Sequence, residues 1–135
     1  MTVNVILERD EDGSIFARMK GSGFLLTTVG KDLEEIDFNL KDLLQDYLEH
    51  EGKENKDWNN LTIKDIAFEY EYDLSVFFES FDMLKISSVA GKAGINASLM
   101  RQYASGIKNP SRQQVAKIEK TLHGLGAALS QVRLM

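Results

Sequence analysis

Cysteine is absent from the 135 residues and proline occurs once, at Pro110. Without thiols the chain holds no disulfide framework, no thiolate zinc site and no cysteine nucleophile, so its stability has to come from an apolar core. A chain of this length, 43% hydrophobic, can bury roughly two-thirds of its unfolded surface, which is enough to fold without staples. No apolar run approaches the length of a membrane span, and Met1-Thr2-Val3-Asn4 lacks the basic start and apolar stretch of a secretion signal, so a cytoplasmic protein with no membrane partner is expected. Signatures of catalysis are missing too. There is no P-loop and no GxGxxG, and His50 and His123 stand far apart with no ligand spacing around either. The expectation is a protein that is not an enzyme and holds no metal and no cofactor.

What the chain does have is charge of two signs kept apart. Residues 1–82 carry 20 acidic against 8 basic side chains, net −12, whereas residues 83–135 carry Glu119 alone against eight cations, net +7. An acidic segment joined to a basic one predicts two different partners, and a basic segment of this kind is the electrostatic footprint of polyanion binding.

Hydrophobic periodicity divides the chain at about the same place. Val3, Val5 and Leu7 alternate with polar residues, as do Ile15, Ala17 and Met19, and Asp10-Glu11-Asp12-Gly13 has the composition of a hairpin turn between them. Phe24 to Val29 reads as a third strand. Asp32 and Glu35 have the spacing of a capping box, and Leu33, Ile36, Leu40, Leu43, Leu44, Tyr47 and Leu48 form one helical stripe that Gly52 is placed to end. The polar stretch 51–60 predicts a loop, with Trp58 either packing it down or presented to a partner. Ile66, Phe68, Tyr70 and Tyr72 alternate as a fourth strand. The expected fold class is α+β, a small β-β-β-α-β module over residues 1–72 followed by an all-α domain over 73–135.

Alternation disappears from residue 83 onward. Two short helical stretches meet at Gly94, with Ser87 expected to cap the first and Asn96 the second, and Gly106 closes the second. A small residue is needed where the helices cross, which Ala90 supplies, while Ile95, Met100 and Tyr103 anchor the second helix. A last helix follows Lys108-Asn109-Pro110-Ser111, with Val115, Ile118, Leu122, Leu125 and Leu129 at core spacing.

Ala90-x-x-x-Gly94-Ile95-Asn96-x-Ser98, followed by Gly106-x-Lys108-Asn109-Pro110-Ser111, resembles the phage-repressor or XRE type of helix–turn–helix, the motif itself lying at about 86–106. The first half is similar to the HicB antitoxin domain through Glu8-Arg9-Asp10-Glu11-Asp12-Gly13 after a strand and Gly30-Lys31-Asp32-Leu33-Glu34-Glu35 opening a helix. The two resemblances together imply an autorepressing antitoxin: a truncated ribonuclease-H-like module that holds a small basic toxin ribonuclease, and a C-terminal module that binds double-stranded operator DNA as a homodimer or higher oligomer. In a docked domain of this type the outer face of the second helix, Ala97, Ser98, Arg101 and Gln102, meets base edges, and Ser105, Lys108 and Asn109 meet phosphates. The acidic hairpin, Glu8, Asp10, Glu11 and Asp12, is expected at the edge of the toxin contact, with Trp58 as an anchor if it is exposed. Two other readings remain open at this stage. One is a solitary helix–turn–helix regulator whose first module dimerises or binds a small molecule; the other, more remote, is a ribonuclease-H-like nuclease using the hairpin carboxylates.

Overall fold

In the first strand, β1 (Thr2–Arg9), Val3, Val5 and Leu7 are buried while Thr2, Asn4 and Glu8 are exposed, as side chains on alternate faces of a pleat require. The computed structural model, which describes all 135 residues, continues with β2 (Ile15–Gly21), β3 (Phe24–Gly30), the helix α1 (Leu33–Glu49) and β4 (Ala67–Tyr72). The strands form one sheet in the order β3-β2-β1-β4, antiparallel except for β1 and β4, which run parallel. Register places apolar residues side by side: Val5 is opposite Met19 and Tyr70, and Leu7 is opposite Ala17 and Tyr72. The β-β-β-α-β module and the α+β class are therefore as the patterning predicts.

Helix α1 covers that apolar face with Ile36, Leu40 and Leu44, all fully buried. Asp32 caps it, its carboxylate accepting from the Glu35 N–H at 2.9 Å. Glu35 makes no return bond, so only half of the expected capping box forms there; a complete box is found at Thr62 and Asp65, where the Thr62 N–H donates to the Asp65 carboxylate at 2.8 Å. Leu43 lies at the margin of the stripe, 37% exposed. The helix stops at Glu49 rather than running to Gly52, because the His50 N–H already closes on the Asp46 and Tyr47 carbonyls and the chain tightens into a 3-10 turn over Glu51–Glu54. Gly52 has a different role: a Cβ there would come within 2.9 Å of the Tyr47 carbonyl oxygen.

The polar segment after α1 is held down by aromatic packing. Phe24 stacks on Tyr47 with ring centroids 3.9 Å apart and meets Trp58 edge-on at 5.0 Å. Trp58 is 3% exposed, and Asn55 ties the same loop to Tyr47 Oη at 2.8 Å and to the Ser22 carbonyl at 2.7 Å. Of the two roles open to Trp58 in the sequence, packing is the one realised. Its indole is inside the core and is not available as a partner anchor.

The chain divides into two units, Met1–Val76 and Phe77–Met135. The division falls four residues beyond the expected boundary at 72 because α2 (Leu74–Ser80) begins inside the first core, where Val76 is fully buried. Asp73 caps α2 by accepting from the Ser75 N–H at 2.7 Å. The second unit is helical throughout: α3 (Ile86–Ala93), α4 (Ala97–Ser105) and α5 (Arg112–Ser130). Ser87 does not cap α3; Lys85 occupies that position without a side-chain bond, and Ser87 is exposed in the first turn. Drawn at the observed division, the charges are 18 acidic against 8 basic in the first unit, net −10, and 3 acidic against 8 basic in the second, net +5.

Tyr70 clamps β4 to α1, its hydroxyl donating to the Asp37 carboxylate at 3.0 Å. Burial first, and then this hydrogen bond, push the phenol above its usual range. Because the folded state holds the proton more tightly than the unfolded one, this stability is fully present below the ordinary phenol pKa of about 10 and declines as pH rises beyond it. Tyr70→Phe is expected to cost about 1 kcal/mol at neutral pH and to flatten the loss of stability above pH 10, measured by urea unfolding followed through the fluorescence of Trp58.

Candidate nucleic-acid interface

The second unit turns on the junction between α3 and α4. Gly94 adopts φ +70, a left-handed conformation that residues with a Cβ rarely take. That allows the Ile95 N–H to reach back to the Ala90 carbonyl at 2.9 Å and the Gly94 N–H to bond Gly91 at 3.3 Å, the paired bonds of a Schellman stop. Ala90 is fully buried beneath the crossing and Ile95 is 6% exposed. Two residues later Asn96 restarts the helix, its side-chain oxygen accepting from the N–H groups of Ser98 at 2.9 Å and Leu99 at 3.2 Å. This is the expected cap.

Helix α4 is anchored by Met100, fully buried, and Tyr103, 6% exposed. On the opposite side Ser98, Arg101, Gln102 and Ser105 fall within an arc of about 100°. Ser98, Arg101 and Ser105 are exposed and Gln102 is half-buried. Ala97 lies at the flank of this face, half-buried, so it contributes less surface than the sequence reading gave it. The helix ends at Gly106 as α3 ends at Gly94, and the Gln102 carbonyl holds the following turn by accepting from the Ile107 N–H at 3.0 Å, the Lys108 N–H at 3.3 Å and the Ser105 hydroxyl at 3.2 Å. Lys108 and Asn109 are both exposed beyond it. The seven sequence-predicted residues therefore sit on one helix and the turn it controls.

Ile107, 73% exposed between Ser105 and Lys108, belongs to the same turn and escaped the sequence reading. The available signal was an apolar residue just after a helix-ending glycine, where such a residue often packs back onto the helix; here it does not. Across the second unit, Lys85, Lys92, Arg101, Lys108, Arg112, Lys117, Lys120 and Arg133 are all exposed and none takes part in a salt bridge. Eight unpaired cations and a helix presenting hydroxyl, amide and guanidinium groups can engage phosphates and base edges.

The acidic hairpin of the first unit is organised differently. Glu8 pairs with Arg18 at 3.2 Å across the uncovered face of the sheet, with both side chains about half exposed, where such a pair contributes little stability. Asp10 accepts from the Glu11 N–H at 2.9 Å, and Asp12 accepts from both the hydroxyl and the N–H of Ser14. The Ser14 hydroxyl bond, followed by the Ser14 N–H, holds the Asp12 carboxyl below its usual range. Glu8, Glu11 and Asp12 are exposed and Asp10 is half-buried, so these carboxylates shape a turn and do not converge. No three His, Asp or Glu side chains of the chain group as a metal-ion site. More of the acidity lies on α1, where Glu34, Glu35, Asp37, Asp42, Asp46 and Glu49 accompany Lys41 alone, and Phe38 stands 71% exposed among them. Phe38 falls between Ile36 and Leu40 and off the buried stripe, which is the signal that points it outward.

Comparison with family models, curated proteins and solved structures finds no match to this chain.

Removing the Asn96 cap by Asn96→Ala is expected to cost about 1 kcal/mol in the second unit alone. Far-UV circular dichroism of its helices should show the loss, with the Trp58 fluorescence transition of the first unit unchanged.

Proposed function

We propose that this protein is a sequence-specific DNA-binding transcriptional regulator, with α4 entering the major groove. The observation that carries the reading is the exposed face of α4, fixed in place by Gly94 and Asn96 in a unit whose eight cations are exposed and unpaired. In such a docking Ser98 bonds either base type, Gln102 bonds the N6 and N7 edge of adenine, and Arg101 reaches guanine or a phosphate. Ser105, Lys108 and Asn109, in the turn beyond, hold phosphates and set register without reading sequence. One short helix covers few base pairs, so operator binding by two copies on two half-sites is part of the proposal.

The first unit, in this reading, is the HicB-type antitoxin half: it receives a small basic ribonuclease toxin. Its net charge of −10 disfavours a role on DNA and favours fast association with a cationic protein. Exposed Phe38, set among the carboxylates of α1, gives that surface an apolar anchor of the kind Trp58 does not provide.

Two measurements test these assignments. Duplex selected from a random pool should bind with a log–log salt slope of roughly −0.9 per phosphate neutralised. Gln102→Ala should change which duplexes are selected, whereas Lys108→Ala should lower affinity about equally on all of them; absence of salt-dependent binding removes the DNA reading. For the first unit, co-expression with the product of the adjacent gene should give a complex that survives moderate salt and is weakened by Phe38→Ala combined with Asp42→Lys. A neighbour that is not toxic alone, or a complex indifferent to those changes, favours the solitary regulator.

A further inference from the structure

The two edges of the sheet are finished differently. On the face that α1 leaves uncovered, β4 carries Glu69 and Glu71, both exposed, and charge on an edge strand discourages further pairing. β3 has no charge, no proline and no bulge: its seven residues pair with β2 in unbroken register from Phe24 to Gly30. Because Gly21 and Phe24 close a two-residue turn, Phe24, Leu26 and Thr28 bond β2 through their backbone, while Leu25 and Thr27 turn their N–H and C=O groups outward. Val29 follows the same alternation, its carbonyl accepting from the Asn39 side chain of α1 at 3.3 Å. Three exposed apolar side chains gather at this edge. Leu25 is 58% and Val29 44% exposed on the uncovered face, and Leu43 lies on the flank of α1 between Asn39, which meets Val29, and Tyr47, which meets Phe24.

We infer that β3 receives a fifth strand, an extended segment of another protein whose charged side chains are acidic on one face and basic on the other. Charge on the two sides of the edge selects this occupant. Behind the edge on the uncovered face, Lys20 stands opposite Leu25 and Arg18 opposite Thr27, and residues 15–31 contain no Asp or Glu. Arg18 is held by Glu8, whereas Lys20 is exposed and has no carboxylate partner. A glutamate on that face of an added strand lies two strand spacings, roughly 10 Å, from the Lys20 backbone, a gap that two long side chains close together. On the other face α1 offers the reverse sign. Glu35, beside Gly30, and Asp46 follow the same flank of the helix as Asn39 and Leu43, so the alternate residues of the added strand meet them as cations. A second copy of the chain does not fit, because its own β3 is uncharged and supplies neither sign. A uniformly acidic or uniformly basic strand would oppose like charges on one of the two faces. Backbone bonds along an open edge, with side-chain pairs at alternate positions, are the means by which extended segments are recognised. Neither α4 nor Phe38 takes part, so this contact stands apart from the partners proposed above.

Amide hydrogen exchange of the full chain, read by NMR with the capped octapeptide Glu-Lys-Val-Val-Glu-Lys-Val-Val as probe, tests this contact. Without peptide, the Leu25 and Thr27 amides should exchange rapidly while those of Leu26 and Thr28 are protected. Saturating peptide should slow Leu25 and Thr27 by roughly tenfold or more. Thr27→Pro removes an outward N–H and leaves the bonds to β2 in place, so it should abolish peptide binding without moving the unfolding transition of Trp58. Lys20→Glu should weaken binding about threefold. Leu25 and Thr27 amides that exchange freely at saturating peptide overturn the strand addition. Protection of both in the free chain would mean that a second copy already occupies the edge, and overturns the choice of occupant. Equal binding by peptides in which every charged residue is glutamate, or every one lysine, overturns the two-sided charge selection.

Discussion

The backbone reversal at Gly94 is the constraint on which the arrangement of the second unit depends. A left-handed residue there makes the 2.9 Å bond from Ile95 to Ala90 possible, and that bond determines where α3 ends and how soon α4 can start. Ala90 then has to be small because the crossing leaves it no room, and Ile95 is drawn into the core. With the crossing set, Met100 and Tyr103 point inward. By helical geometry alone, Ser98, Arg101, Gln102 and Ser105 must point outward. The presenting face is thus a consequence of packing at the junction rather than of any preference of its own residues.

A comparable role in the first unit belongs to Phe24. Its ring joins the edge strand β3 to Tyr47 of α1 and to Trp58 of the loop that follows, so sheet, helix and loop share one aromatic cluster. The loop is polar and would otherwise have little to bury. Asn55 completes the attachment by satisfying Tyr47 Oη and a backbone carbonyl together, which keeps polar groups beneath the loop paired.

Opposite net charges on the two units, −10 and +5, separate their roles physically. Fields of this kind govern encounter more than fold: the cations of the second unit attract a polyanion, and the carboxylates of the first repel one.

Strands, helices and the exposed face of α4 were legible in the sequence alone, because alternation at period two and spacing at 3.6 follow directly from which side chains must be buried. Gly94, Asn96 and Gly106 were legible for the same reason: their local backbone requirements are nearly independent of the rest of the chain. Tertiary structure decided what depends on distant residues meeting. Trp58 went inside because Phe24 and Tyr47, far away in the chain, left a surface for it. The boundary moved to Val76 because the first core still had room for that side chain. Ser87 lost its capping role because α3 starts two residues earlier, after Lys85, and Leu129, with core spacing, stayed in solvent because α5 outruns the unit it packs on. Periodicity records which residues share a face; whether anything covers that face is settled only when the elements are assembled.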